Sequence, residues 1–202
     1  EKGYKIQQIE SFVKELCWRD YFQRVGQFKD LNKEIRQRQE LVSNYEIPVH
    51  ILNATTGIQG IDNAIKQLYR TGYMHNHCRM YSASLVCNIA KSHWQHPSQW
   101  MYYHLLDGDW ASNTCSWQWV AGTASRKPYL FNAGNVARFA PAPWHSPGSV
   151  VDTSYEALDA IARSPGAISV HSLGDGVTES MLYQRPPDAS VFSIPDADKV
   201  AG

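Results

Sequence analysis

Residues 105–119 read Leu105-Leu106-Asp107-Gly108-Asp109-Trp110-Ala111-Ser112-Asn113-Thr114-Cys115-Ser116-Trp117-Gln118-Trp119. A Gly between two carboxylates interrupts helical periodicity, and an Asp in front of an aromatic-rich run is a favoured helix cap. The stretch therefore reads as a turn that opens a helix over Trp110–Val120. Two uses fit it. The carboxylates merely cap the helix, or the turn offers acceptors to a polar ligand while Trp117 and Trp119 pack beneath it.

A second cluster, Thr71-Gly72-Tyr73-Met74-His75-Asn76-His77-Cys78-Arg79-Met80, bears on that choice. Asn76 and Arg79 stand three residues apart, so on a helix both face one side. An Arg on an otherwise apolar helix needs a carboxylate, because an unpaired buried charge is costly. Asp107 or Asp109 supplies one.

Outward from these clusters the chain reads as helices. Ile6, Ile9, Phe12, Val13, Leu16 and Cys17 recur at three- and four-residue steps, predicting an amphipathic helix that ends near Val25 and Gly26. Lys29 to Glu40 predicts a short exposed helix, followed by an irregular connection to residue 57. Ile58, Ile61, Ile65, Leu68 and Tyr69 predict a helix stopped at Thr71-Gly72. Residues 75–94 continue helical periodicity, and 99–106 predict another helix with Trp100, Tyr103 and Leu106 on one side. No segment alternates with period two, so residues 1–140 read as all-α. Residues 141–202 are broken by Pro and Gly, with helical pattern only over 154–162. They predict an irregular, acidic, Pro/Gly-rich C-terminal extension, an arm or partner-binding tail.

Composition narrows the function classes. The 19 Lys+Arg balance 19 Asp+Glu, which excludes a uniformly basic nucleic-acid binder. The zero hides a division: residues 1–140 hold 16 basic and 11 acidic side chains, residues 141–202 hold 3 and 8. A basic front part is compatible with a phosphate backbone. The 4 cysteines form no C-x-x-C pair, and no apolar run approaches membrane-spanning length, so the expectation is a soluble intracellular (cytoplasmic) protein without a membrane partner. His75, His77 and Cys78, or His93 and His96, have legal zinc spacings but no matching second half-site, so no metal is assigned. No Gly-x-Ser-x-Gly elbow, Walker loop or Rossmann fingerprint occurs.

Four motifs together, in order and spacing, resemble the FAD-binding helical domain of the DNA photolyase and cryptochrome family. They are Glu15-Leu16-Cys17-Trp18-Arg19-Asp20-Tyr21, Thr56-Gly57 with Ile61-Asp62, the 71–80 cluster, and the run from Asp107 to Trp119. The resemblance covers residues 12–131. It implies an all-α flavoprotein domain in which reduced FAD, the chromophore, excited by blue or near-ultraviolet light, gives an electron to a flipped-out pyrimidine dimer in damaged DNA. The dimer splits, a carbon–carbon lyase reaction, and the electron returns.

The resemblance also implies roles. Asp107, Gly108 and Asp109 match the flavin-contacting turn, and Arg79 the arginine that faces the flavin and pairs with the first carboxylate. Asn113 matches the residue beside the flavin's central nitrogen, where an amide favours the photolyase branch. Phe12 stands at a flavin-side position. Glu15, Trp18, Asn76 and Met80 match dimer contacts, and Arg19 a flanking-strand contact. Trp117 and Trp94 match the proximal and middle members of the tryptophan chain that photoreduces the flavin. The terminal member is replaced by Ile51, which leaves Trp119 or Tyr45 as substitutes. The family places an α/β antenna domain and a phosphate-binding loop ahead of the helix carrying Trp18, and neither is in these 202 residues, an arrangement that predicts weakened FAD affinity. Two further readings stand beside repair: a cryptochrome-like blue-light photoreceptor whose tail engages a protein partner, and a helical scaffold that has lost FAD.

Overall fold

The computed structural model describes residues 3–166, and within them the chain is helical, with no strand beyond one isolated bridge between Asn44 and Ser92. The helices are α1 (Ile6–Phe28), α2 (Val49–Leu52), α3 (Gln59–Thr71), α4 (Asn76–Ser84), α5 (Gln95–His104), α6 (Trp110–Val120), α7 (Ala133–Phe139) and α8 (Tyr155–Arg163). A π-helical turn, Leu85–Ile89, extends α4, and a 3-10 turn covers Ala142–Trp144. Among the described residues no helix is long and apolar enough to cross a membrane.

Helix boundaries follow local chemistry. α3 buries Ile61, Ile65 and Leu68 on one face, and each such aliphatic contributes roughly 1.5–3 kcal/mol on burial. It stops at Gly72, whose φ of 67° closes the helix in the left-handed region with a bond to Leu68 O. α6 starts at Asp109, whose side chain accepts from Ser112 N. Asn132 and Ser154 cap α7 and α8 likewise. The core joins α3, the π-helical turn, Trp94, Trp100, Phe131, Val151 and Leu158.

Four expectations are corrected. Residues 29–40 form no helix. They run as an irregular strap whose backbone is bonded to distant groups: Ile35 N donates to Gln118 Oε1 at 2.8 Å and Gln37 N to Thr123 O at 3.1 Å. Those partners outcompete local helical bonds for the same donors. The segment 75–94 is not one helix, because the π-helical turn ends at Ile89 and Lys91 takes φ 57°. α5 starts before Pro97 and buries Trp100, while Tyr103 and Leu106 are exposed. α1 is a helix, running to Phe28, but none of its residues is buried. It meets the body through α6, where Gly26 lets the backbones approach: a Cβ there would lie 3.0 Å from Ala111 Cβ.

The described part of the expected extension, 141–166, is no free arm. Val151 and Leu158 lie in the core, Val151 O accepts from Ala133 N at 2.8 Å, and the buried Lys91 ammonium donates to Ile161 O and Ala162 O at the end of α8. Residues 167–202, with the rest of the expected tail, lie outside the described residues.

His104 packs edge-on against Tyr69 at 4.8 Å and near Trp100 at 6.0 Å, and burial pushes its pKa down to about 4. Between pH 6.5 and about 4 the unfolded chain binds a proton that the folded chain refuses. Stability therefore falls as pH drops through that window, by about 2 kcal/mol after discounting for partial exposure. The His104→Phe variant is expected to lose this component, so its Tm declines less steeply over the window in a melting series.

Candidate functional site

A cavity of about 470 Å³ opens between α1, α4 and the α5–α6 turn with α6. Its size is ordinary for a ligand pocket. Its walls are mostly apolar in area, with nine polar or charged residues among them.

The turn contributes Asp107 and Asp109, and its neighbours hold it in place. Leu106 N donates to Gly72 O at 2.9 Å, docking the turn on the end of α3. Arg79 reaches across from α4: Nη2 donates to Asp107 Oδ1 at 2.9 Å and Oδ2 at 2.8 Å, while Nε donates to Met74 O at 2.7 Å. Gly108 leaves no room for a side chain, since a Cβ would lie 3.0 Å from Leu105 O and 3.2 Å from Tyr102 Cδ2. The sequence requirement for a carboxylate beside Arg79 is thus met by Asp107.

Asp109 acts as a cap and a tether together. Oδ1 accepts from Ser112 N at 2.7 Å and Oδ2 from Gln23 Nε2 at 3.1 Å, tying α1 to α6. Burial raises its pKa, but hydrogen bonds from Ser112 and Gln23 and the nearby Arg19 charge outweigh this, so the net shift is downward. Asp109 therefore stays ionised at neutral pH. One turn on, Asn113 Nδ2 donates to Ser98 O at 2.8 Å, which fixes the amide's orientation. The Ser112 hydroxyl is buried on the same wall without a hydrogen-bond partner, and such orphaned groups are uncommon unless a ligand or water satisfies them.

The residues singled out from sequence sort by depth. Trp117 is buried at the cavity wall, and Asn113, Asp109, Arg79 and Met80 are half-buried there. Glu15, Trp18, Arg19 and Asn76 line the exposed side, with Asp107 beside Arg79. Two lie elsewhere. Phe12 is 65% exposed and off the cavity, because it precedes the part of α1 that faces α6. Trp94 is fully buried at the start of α5 and is not on the wall.

Sequence reasoning missed Phe22, Gln23 and Ser98. Phe22 continues the helical face of Glu15, Trp18 and Arg19, so periodicity alone could have found it. Gln23 and Ser98 act through bonds to residues 86 and 15 positions away, for which local sequence holds no signal.

Residues 12–142 match the family described as the FAD binding domain of DNA photolyase. The deoxyribodipyrimidine photo-lyase of Streptomyces griseus is 34% identical over 119 residues, covering 57% of this chain and 26% of that protein. The Synechococcus sp. enzyme of the same name is 31% identical over 143 residues, 64% and 28% of the two chains. A bacterial class III photolyase structure from Agrobacterium tumefaciens superposes with a TM-score of 0.56 at 28% identity, over 68% of this chain and 30% of that one. An archaeal photolyase from Sulfolobus tokodaii, solved with two FAD molecules, gives 0.58 at 25% identity, over 78% and 40%. The chain thus spans less than a third of the length of either curated relative.

The half-buried Arg79 pair is expected to couple α4 to the turn. In a double-mutant cycle of Arg79→Met and Asp107→Asn read by denaturant unfolding, a coupling of about 1 kcal/mol is expected. Strict additivity would show that the two groups act independently.

Proposed function

Because this chain belongs to the family of the FAD binding domain of DNA photolyase, we propose that it is the flavin-holding part of a light-driven DNA-repair protein that splits pyrimidine dimers. One observation carries this reading: of the residues assigned to flavin and to the lesion, all but Phe12 border one cavity, with Arg79, Asp109 and Asn113 half-buried in it and Glu15, Trp18, Arg19 and Asn76 at its open side.

The residues fit a flavin. Arg79 and Asp107 offer donors and an acceptor to a polar ring edge. Asn113, with its amide held by Ser98, keeps an uncharged acceptor and one N–H for a ring nitrogen. Ser112 contributes an unpartnered hydroxyl. Bound FAD supplies the one-electron chemistry. The protein's part is to orient the cofactor and keep Trp117 against it in a largely apolar wall.

At the open side Trp18 presents a stacking face to an extrahelical base, Glu15 and Asn76 accept from and donate to base edges, and Met80 adapts to the apolar surface of the lesion. Arg19 serves a strand phosphate. Extruding the bases costs least where the lesion has already weakened stacking. Family resemblance and cavity lining support these roles together.

The decisive test is the absorption spectrum of the purified chain with added FAD, before and after blue illumination with a thiol reductant. A structured flavin band that bleaches in light is expected, and Asn113→Asp is expected to change the redox state that persists. Failure to retain FAD after reconstitution would remove the reading for this chain.

A separate measurement addresses the lesion side. The Trp18→Ala variant is expected to lose about 1–3 kcal/mol in binding an oligonucleotide that carries a thymine dimer, at fixed salt, with the flavin spectrum unaltered. Equal affinity would remove Trp18 from the DNA contact.

A further inference from the structure

Tyr45 is 63% exposed and stacks on His93, with ring centroids 5.0 Å apart and planes 28° from parallel. His93 in turn lies 5.5 Å from Trp94 at 34°. Trp94 is fully buried, so three π systems run without a gap from the core to solvent. α5, which begins at Trp94, packs on α6, which carries Trp117.

The stack is built. Ser43 N donates to Lys91 O and His93 N to Asn44 O, each at 2.8 Å, and Ser92 Oγ donates to Asn44 Oδ1 at 2.8 Å. These bonds join the backbone bearing Tyr45 to that bearing His93, and the fully buried Ile47 anchors the far side. Both nitrogens of His93 are engaged: Nδ1 accepts from Gln95 N and Nε2 lies against Glu34 Oε1, each at 3.3 Å. The ring is thereby held between its two aromatic neighbours. By contrast Ile51 is 2% exposed and its aliphatic side chain is no electron donor.

We propose that Tyr45 is the surface electron donor of this chain, feeding Trp94 through the His93 stack. The proposal rests on the flavin reading above. With a flavin bound and excited, Trp117 would supply it one electron, Trp94 would restore Trp117, and Tyr45 would restore Trp94. The Tyr45 phenol loses that electron and releases its proton to water, and a thiol in solution returns one hydrogen atom to the tyrosyl radical, becoming a thiyl radical. Trp94 suits this relay because its indole Nε1 has no hydrogen-bond partner. With no hydrogen-bonded acceptor to take its proton, and both His93 nitrogens engaged elsewhere, the oxidised indole would stay protonated and strongly oxidising, and so draw the electron from Tyr45.

The test uses the FAD-reconstituted chain under blue light with a thiol, reading the photoreduction rate and the electron paramagnetic resonance spectrum of the trapped radical. Tyr45→Phe keeps the ring stack but removes the phenol. It is expected to slow photoreduction several-fold and to replace a tyrosyl signal with a tryptophanyl one. Tyr45→Trp is expected to restore the rate, which a purely structural role would not require, since Phe already fills the space. Equal FAD retention in all forms controls for folding. If Tyr45→Phe matches the parent in rate and radical, or if the loss appears instead in Trp119→Phe, the exposed aromatic on the cavity wall, the Tyr45 relay falls while the flavin reading stands. A parent chain that holds FAD but does not photoreduce overturns the relay alone, and one that holds no FAD overturns both.

Discussion

The Arg79 guanidinium depends on Asp107, and the rest of the site depends on that pair. Arg79 sits on a helix whose buried residues are all uncharged, and its charge is satisfied by reaching Met74 O and the Asp107 carboxylate. The reach pulls the turn against α4. Once it is there, the next two residues serve other helices: Gly108 lets α5 approach to van der Waals contact, and Asp109 caps α6 while holding α1 through Gln23. Three consecutive residues thus set the relative positions of four helices. A single substitution in this turn would therefore be felt on every wall of the cavity, not just at the atom it removes.

Local signals recovered what local interactions decide. α3 ends at Gly72 and α6 begins at Asp109 because a left-handed cap and a side-chain cap are written into single residues. The strap over 29–40 was illegible for the opposite reason. Its donors and acceptors are taken by Gln118 and Thr123, 83 to 86 residues away, so charged composition misread it as helix. α8 was legible as the helical pattern over 154–162, but Pro and Gly after residue 140 hid that Val151 and Leu158 hold that stretch on the core. In the site, three of the four motifs converge on one cavity, whereas the Thr56-Gly57 motif, Phe12 and Trp94 lie off it: matching a motif fixes a residue's place along the chain, not whether it meets the cavity.

The π-helical turn explains part of that difference. Five residues, Leu85–Ile89, insert an additional residue into the α4 register, turning Asn88 toward Val120 O and Tyr129 O, where its Nδ2 donates at 3.1 and 2.8 Å. The chain leaves it through the left-handed Lys91 and enters α5 with Trp94 in the core. The geometry that takes Trp94 off the cavity wall also puts His93 beside Tyr45, so the loss of one aromatic contact and the gain of another have a common cause.

Charge orders the cavity as strictly as packing does. Arg79 is matched by Asp107, and Arg19 lies near enough to Asp109 to help hold it ionised. Neither Glu15 nor Arg19 on the open side forms an ion pair among the described residues. A carboxylate facing a phosphate backbone would be repelled. One facing an extruded base accepts hydrogen bonds from ring and exocyclic N–H groups that have lost their partners across the duplex. On the proposed function, Glu15 therefore favours bases over backbone at this spot and leaves phosphate contacts to Arg19, one helical turn away on the same face of α1. On that reading, an acidic residue within a nucleic-acid site is a means of orienting the lesion.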